Sequence, residues 1–189
     1  MAEQTKRIIV FIDSSNFYFH SKKLLKVNSL KLNWAGLIAD IVEQCKQGVN
    51  ENCQLIKAYY YAGIPDPRVD NTGYRKQKNF LNAISSISFV TVKTGYVLKN
   101  KKTGINVEKG VDTMLAVDMA IMAAKDMYDI ALLISADGDF KYCIEQVKNC
   151  NKKVIICSPQ ESHSMALIQV CDKQIIANRD LISKYINNN

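Results

Sequence analysis

The chain has 189 residues, of which 48% are hydrophobic, and this composition excludes an intrinsically disordered protein. No apolar run is long enough to cross a bilayer, and the first residues lack the longer apolar stretch of a signal peptide. A net charge of +7, from 25 Lys and Arg against 18 Asp and Glu, favours anionic partners and above all nucleic acids. We therefore predict a single-domain, cytosolic protein.

The six cysteines lack the spacing of a metal site. No two of them form a C-x-x-C pair, and only His20 and His163 offer imidazole ligands. Reduced thiols, mostly buried in the core, are therefore expected in place of disulfides or a zinc site.

In the first half of the chain, short β-rich runs alternate with helical patterns. "RIIVFID" at 7–13 is continuously apolar, as parallel strands buried on both faces are. Residues 33–47 carry a helical apolar stripe, and the tyrosine-rich run at 54–62 predicts a second strand. Turn residues follow at 63–73, and a helix is predicted over 74–84.

The second half continues this alternation. A strand or strand pair is predicted at 87–98, and the basic turn "KNKKTG" after it is predicted to be a hairpin tip. The remaining elements alternate in type: helix 111–127, strand 130–135, helix 139–150, strand 152–158, short helix 164–171, strand 173–178 and helix 179–186. Such alternation predicts an α/β fold, a three-layer α/β/α sandwich with a mostly parallel central sheet.

Four aspartates stand where such a sheet binds ligands. Asp13 closes the first strand, Asp137 and Asp139 follow the fourth, and Asp112 begins the helix before the fourth strand. Ligands of open parallel sheets lie beyond the carboxyl ends of the strands, near the point where strand order reverses. We therefore expect the four carboxylates to surround one crevice.

Crowded carboxylates repel one another unless a cation or protons compensate. Hard divalent ions take oxygen ligands, and a bound ion can activate water and stabilise charge on a phosphodiester. Each aspartate also has a simpler explanation: Asp13 as a turn or helix-cap residue, Asp137 and Asp139 as a loop turn that caps the next helix, and Asp112 as a helix-start residue favoured by the dipole. Both explanations remain open for each residue alone, and the joint arrangement favours a site.

Four segments around these residues resemble a known family. They are "VFIDSSNFY" at 10–18, "KGVDTMLAVDMA" at 109–120, "ALLISADGDFKYCIEQVKNCNKKVII" at 131–156 and "SHSMALIQVCDKQI" at 162–175. In order and spacing they resemble NYN domain proteins of the LabA-like (DUF88) branch, within the PIN-like nuclease superfamily. The resemblance implies one NYN domain over residues 1–189, with its core at about 7–177 and a short C-terminal helix after it.

The resemblance also implies a ribonuclease that depends on Mg²⁺ or Mn²⁺. The family's metal-binding acids correspond to Asp13, Asp112, Asp137 and Asp139. Asn16 corresponds to a further polar catalytic position, and Ser135 to the serine before the acidic pair. Asp118 corresponds to another acidic position, but six residues along a helix rotate it by about 240° from Asp112. We therefore expect Asp118 to be peripheral.

Basic and aromatic residues provide the expected surface for an RNA partner, which we expect to be single-stranded. The expected substrate-binding residues are Ser135, Lys109 and the hairpin lysines Lys99, Lys101 and Lys102. Arg68, Arg75, Lys76 and Lys78 are further candidates, and Tyr18, Tyr60 and Tyr61 are candidates for stacking on unpaired bases. For each of these residues, a solvated face or a core position is the simpler alternative. A homodimer is left open.

Two other functions compete with the nuclease. A non-catalytic RNA-binding or regulatory module would keep the fold, but four carboxylates bring a pure RNA binder no advantage. A phosphatase of the haloacid dehalogenase type needs D-x-D at the first strand, and the chain has Asp13-Ser14-Ser15 there. A receiver domain needs an acidic pair at that point, and Asp13 stands alone.

Overall fold

A computed structural model describes residues 5–49, 51–99 and 106–187. It contains the strands β1 (Lys6–Asp13), β2 (Cys53–Pro65), β3 (Val90–Lys99), β4 (Asn106–Lys109), β5 (Ile130–Ile134), β6 (Lys153–Pro159) and β7 (Lys173–Ala177). They form one seven-stranded sheet in the order β4-β3-β2-β1-β5-β6-β7. All neighbours pair in parallel except β3 and β4, which are antiparallel.

Helices cover both faces of this sheet. They are α1 (Ser14–Leu25), α2 (Trp34–Val49), α3 (Asn71–Ser85), α4 (Val111–Ala124), α5 (Lys141–Asn149), α6 (Met165–Ile168) and α7 (Arg179–Lys184). A 3₁₀ turn, Gly138–Phe140, precedes α5. Helices α1, α2, α3 and α7 pack on one face, and α4, α5 and α6 on the other. The predicted three-layer α/β/α sandwich with a mostly parallel sheet is confirmed.

The continuous apolar strands explain why there are two cores. Side chains alternate between the faces of a strand, so Val10 and Ile12 enter the core under α1 and α2, while Ile9 and Phe11 enter the core under α4 and α5. Strand β5 divides in the same way, and all five of its residues are buried. A strand buried on both faces therefore needs no polar alternation, as the sequence of β1 predicts.

The order of strands reverses between β1 and β5. From β1 the chain adds β2, β3 and β4 on one side, then returns to place β5 on the other side of β1. Adjacent parallel strands whose connections leave in opposite directions create a crevice at their carboxyl ends. Asp13 ends β1 and Ser135 follows β5, so both lie at this crevice.

Two helices differ from the sequence prediction. Helix α1 was not predicted, and α4 ends at Ala124, three residues earlier than expected. The predicted hairpin is present as the antiparallel pair β3–β4, but Lys101 and Lys102, which were predicted for its tip, lie outside the described residues.

Two further properties concern the whole of the described chain. All six cysteines are free thiols, and Cys45, Cys53, Cys143 and Cys157 are buried. Within the described ranges, no helix combines the length and apolar character that crossing a bilayer requires.

Candidate active site

Asp13 is the most buried acid of the crevice, with 3% of its surface exposed. It caps α1, because its Oδ1 accepts a hydrogen bond from the backbone N–H of Asn16 at 3.3 Å. Its Oδ2 accepts a bond from the hydroxyl of Ser135 at 2.8 Å, across the β1–β5 boundary. The capping role considered from the sequence is therefore present, and so is a second bond that capping does not require.

The segment after β5 is ordered by polar bonds. Ser135 is fully buried, and its Oγ also accepts from the N–H of Asp137 at 3.0 Å. Asp137 caps the 3₁₀ turn by accepting from the N–H of Asp139 at 3.0 Å. Asn16 fastens α1 to this segment, since its Oδ1 accepts from the N–H of Ala136 at 2.9 Å. These bonds hold the Asp137 and Asp139 backbone beside Asp13.

Two glycines allow the start of α4 to reach the same edge. Gly110 has a φ of +78°, which L side chains rarely adopt, and it precedes the first residue of α4. A Cβ on Gly95 would stand 2.6 Å from the carbonyl oxygen of Lys109, too close for any side chain. The backbone of β3 can therefore approach the turn that presents Asp112.

The carboxylates of the crevice affect one another. Burial above all, together with the nearby charges of Asp112 and Asp137, raises the pKa of Asp13 to about 7, although the hydrogen bonds from Ser135 and Asn16 act in the opposite direction. Partial burial also raises the pKa of Asp112, followed by the charges of Asp137, Glu108 and Asp139. The four predicted acids thus share one region of negative potential.

Two further residues lie near the acids and were not predicted from the sequence as site residues. Glu108 on β4 accepts a hydrogen bond from the N–H of Gly63 on β2 and contributes to the raised pKa of Asp112. His20 lies on α1 and its pKa is lowered by burial and by Lys23, although the charge of Asp137 acts in the opposite direction. His20 follows Asn16 by one helical turn, a signal that becomes visible only once α1 is known to be a helix.

Asp118 faces other partners. Its Oδ2 accepts from the hydroxyl of Tyr61 at 2.8 Å and lies 3.1 Å from Nζ of Lys93. Burial, followed by this hydrogen bond, raises the pKa of Tyr61. The second acid of α4 therefore ties the helix to β2 and β3.

The donor set suits a hydrated ion better than a closed cage. In the part of the chain that the structure describes, no three His, Cys, Asp or Glu side chains are grouped so that they could hold a metal ion. Mg²⁺ usually keeps several waters and binds through one or two carboxylates together with a phosphate. Asp13 is buried, Asp137 is half-buried, and Asp112 and Asp139 are exposed. Together they offer hard oxygen ligands of that kind, and a cation there would offset their mutual repulsion.

The residues expected to bind substrate differ in their exposure to solvent. Lys109 is exposed at the end of β4, two residues before α4 begins, and Lys99 is the last residue of β3. Ser135 has no exposed surface, so the expected direct contact with substrate gives way to a supporting role under Asp13 and Asp137. Tyr60 and Tyr61 are buried on opposite faces of the sheet, whereas Tyr18 is half-buried.

Comparison with known proteins agrees with this fold. The model of the NYN domain family matches residues 7–181. The Low amplitude and bright protein LabA of Synechococcus elongatus is 26% identical over 192 residues, covering 97% of this chain and 91% of that protein. A protein of unknown function from Vibrio parahaemolyticus shares the fold, with a TM-score of 0.64, 20% identity and 99% of each chain covered. Since the family model spans most of its length, the chain belongs to the NYN domain family.

Proposed function

We propose that this NYN domain is a metal-dependent ribonuclease that hydrolyses phosphodiester bonds of single-stranded RNA in the cytoplasm. The observation that carries the proposal is Asp13, a carboxylate buried at the β1–β5 crevice with its pKa raised to about 7 by burial and by neighbouring acids. A fold gains no stability from such crowding, and perturbed acids in a crevice are typical of functional sites. Family membership adds support, because the family includes PIN-like nucleases.

Each residue then has a role. Asp13, Asp112 and Asp137 would bind a hydrated Mg²⁺ or Mn²⁺, one or two of them directly and the others through its waters, and Asp139 would bind the ion or orient a water. A bound ion would supply water activation and charge stabilisation at the phosphodiester. Ser135 keeps Asp13 and Asp137 in place through its two hydrogen bonds. The Oδ1 atom of Asn16 accepts a hydrogen bond from the backbone N–H of Ala136. The Nδ2 amide group of Asn16 would donate to a phosphate oxygen or a water.

Basic residues near this edge support an RNA substrate. In the sheet register, Asp13 aligns with Tyr61 of β2 and then with Lys93 of β3, so β3 continues past the level of Asp13 before it ends at Lys99. Lys99, Lys101, Lys102 and the exposed Lys109 would contact phosphates along this side. Lysine contacts of this kind bind RNA without reading its sequence.

A regulatory RNA-binding module is the second candidate. It is favoured by the capping bonds of Asp13 and Asp137, which give both acids a structural use without a metal. Cleavage separates the two functions, since a module that only binds leaves RNA intact.

The test uses an end-labelled single-stranded RNA of mixed sequence with Mn²⁺, Mg²⁺ or EDTA. We expect the wild type to cleave the RNA with either metal. Asp13→Asn and Asp137→Asn should not cleave it with either metal. In EDTA, both variants should bind the RNA as tightly as the wild type or more tightly. Glu43→Gln, an exposed acid of α2, is the matched control and should cut normally. Tight binding with no cleavage under any metal would favour the regulatory module, and protein that neither binds nor cuts RNA would overturn both.

A further inference from the structure

A cavity of about 350 Å³ lies beside the start of α1, which directly follows Asp13. Its lining includes Ser15, Tyr18, Trp34, Tyr60, Gln77 and Phe80, so it lies between α1, α2 and α3. The volume is large enough for a planar heterocycle and leaves space for part of a ribose. Neither the family match nor the acidic crevice accounts for this cavity.

The cavity and the acids are joined through the start of α1. Ser14 and Ser15 line the cavity and directly follow Asp13, and consecutive Cα atoms are about 3.8 Å apart. Asp13 continues the face of Phe11, whereas Tyr60 belongs to the core on the other face. A strand of RNA crossing the end of β1 would therefore pass both sites.

Aromatic rings form the walls. The rings of Trp34 and Tyr60 lie 5.0 Å apart, edge to face, and those of Tyr60 and Phe80 lie 6.2 Å apart. Phe80 is 40% exposed, although its ring borders a cavity. An exposed ring at such a position offers a face on which a base can stack.

Polar groups are few and held in position. Gln77 donates from Nε2 to the carbonyl oxygen of Gly63 at 3.1 Å, which fixes its amide plane at the wall. Ser15 adds a hydroxyl. Apolar walls with a few placed hydrogen-bonding groups are typical of sites for small planar ligands.

The charge around the cavity favours a polyanion over an apolar peptide. Nζ of Lys22 lies 5.3 Å from the centre of the Tyr18 ring, and Arg75, Lys76 and Lys78 are exposed on α3. Proteins that bind single strands combine a basic groove with aromatic stacking surfaces. An uncharged or basic occupant would make no use of these cations.

We infer that this cavity binds one unpaired nucleobase of the RNA strand, next to the phosphate that reaches the acids. The inference rests on the proposed function for its choice of RNA as ligand. Binding of a base in this cavity would restrict the acidic site to unpaired RNA, because a base held in a duplex stack cannot enter the cavity.

Trp34 allows a direct test, because it is the only tryptophan of the chain and lines the cavity. Its fluorescence would be followed in EDTA during titration with the four ribonucleoside 5′-monophosphates, with a five-nucleotide RNA and with ribose 5-phosphate. We expect a saturable change with the nucleotides and the RNA, and none with ribose 5-phosphate. Phe80→Ala should weaken the response at least about fivefold. Tyr96→Ala removes a ring that is 55% exposed on β3, away from the cavity, and should leave the response unchanged.

A second measurement compares cleavage of two RNAs that differ by one abasic nucleotide. Slower cleavage next to the abasic position supports the inference. A wild type that shows the nucleotide response but cuts no RNA would refute the ribonuclease and leave the base site standing. Equal cleavage of both RNAs with no nucleotide response would overturn the base site and leave the ribonuclease standing. A response to an apolar peptide and to no nucleotide would identify the cavity as a protein-docking site and also overturn the inference.

Discussion

Tyr61 donates its hydroxyl hydrogen to Asp118 at 2.8 Å, and this bond directs the second acid of α4 towards β2. Lys93 completes the arrangement from β3 with a 3.1 Å ion pair. Asp112, on the same helix, shares its surroundings with Asp137, Glu108 and Asp139. The two acids of one helix thus belong to different parts of the molecule, as the helical rotation between them predicts.

The two acids should therefore respond differently to amide substitution. Asp112→Asn should lower RNA cleavage by orders of magnitude with little loss of stability. Asp118→Asn should cost about 1 kcal/mol of unfolding free energy, because Lys93 loses its partner, while cleavage stays within several-fold of the wild type. Urea unfolding and initial cleavage rates measure both effects. Equal loss of activity in two well-folded variants would contradict the assignment of Asp118 to the structural pair.

Ser135 should matter for stability more than its small size suggests. Its buried hydroxyl donates to Asp13 and accepts from Asp137, so Ser135→Ala leaves both groups without this partner. We expect a loss of about 1–3 kcal/mol in unfolding free energy, measured by urea denaturation. Ser183→Ala, an exposed serine of α7, should change it very little. A Ser135→Ala variant as stable as the wild type would show that the serine does not hold the site together.

Divalent metal should raise the melting temperature of the wild type, because a ligand of the native state stabilises it. Asp137→Asn should largely remove that increase, whereas Glu43→Gln should keep it. In EDTA, Asp137→Asn should melt no lower than the wild type, since one of the mutually repelling charges is gone and Asn can still cap the 3₁₀ turn. Differential scanning fluorimetry gives both values. A variant that melts much lower in EDTA would make Asp137 structural.

An ion pair far from the site should control stability in acid. Arg7 donates to both carboxylate oxygens of Asp129 at 3.0 Å, and this bonding lowers the pKa of Asp129 to about 2. Because the folded pKa lies below the ordinary value of 3.8, the stabilisation is complete above about pH 4 and is lost as the pH falls towards 2. Lys152 and Asp126 also face this pair.

Asp129→Asn should therefore lose about 1–2 kcal/mol at pH 7, and its difference from the wild type should shrink between pH 4 and pH 2. Urea unfolding at several pH values measures this. Asp66, which pairs with Arg68 two residues away on the surface, is the control, and Asp66→Asn should alter global stability far less. A difference at Asp129 that does not depend on pH would contradict an electrostatic origin.

The hairpin lysines should contribute to the salt dependence of RNA binding. Replacing Lys99, Lys101 and Lys102 by alanine should weaken binding and reduce the slope of log affinity against log salt by up to about 2, at roughly 0.7 per phosphate contact on a single strand. Fluorescence anisotropy in EDTA measures the slope. Lys125→Ala, beyond the end of α4, should leave it unchanged. An unaltered slope in the triple variant would place the RNA path elsewhere.

The sheet could be predicted from the sequence because its strands are continuously apolar, whereas α1 could not. The buried positions of α1 follow a helical spacing, but Ser14 and Ser21 occupy two of them and are buried with Phe17 and Leu24. An apolar periodicity interrupted by serines does not reveal an amphipathic helix. Consequently His20, which α1 places one turn after the predicted Asn16, was missed.

The four acids could be predicted individually, since each follows or precedes a recognisable element. Their neighbours depend on pairings across the sheet. Glu108 reaches the site because β4 returns antiparallel to β3, and a sequence that predicts only a hairpin does not say which side chains face inwards. The burial of Ser135 was likewise not visible, because a serine after a strand is as often exposed in a turn.

The bond between Ser135 and Asp13 joins residues 122 positions apart in the chain. Parallel strands with such separations pair late in folding, because the loop that connects them must close first. On a ribosome, the growing chain displays Asp13 long before β5 can insert beside β1. With the proposed ribonuclease, a nascent or half-folded chain would therefore be inactive, and the message being translated would be spared until the strand that carries Ser135 is in place.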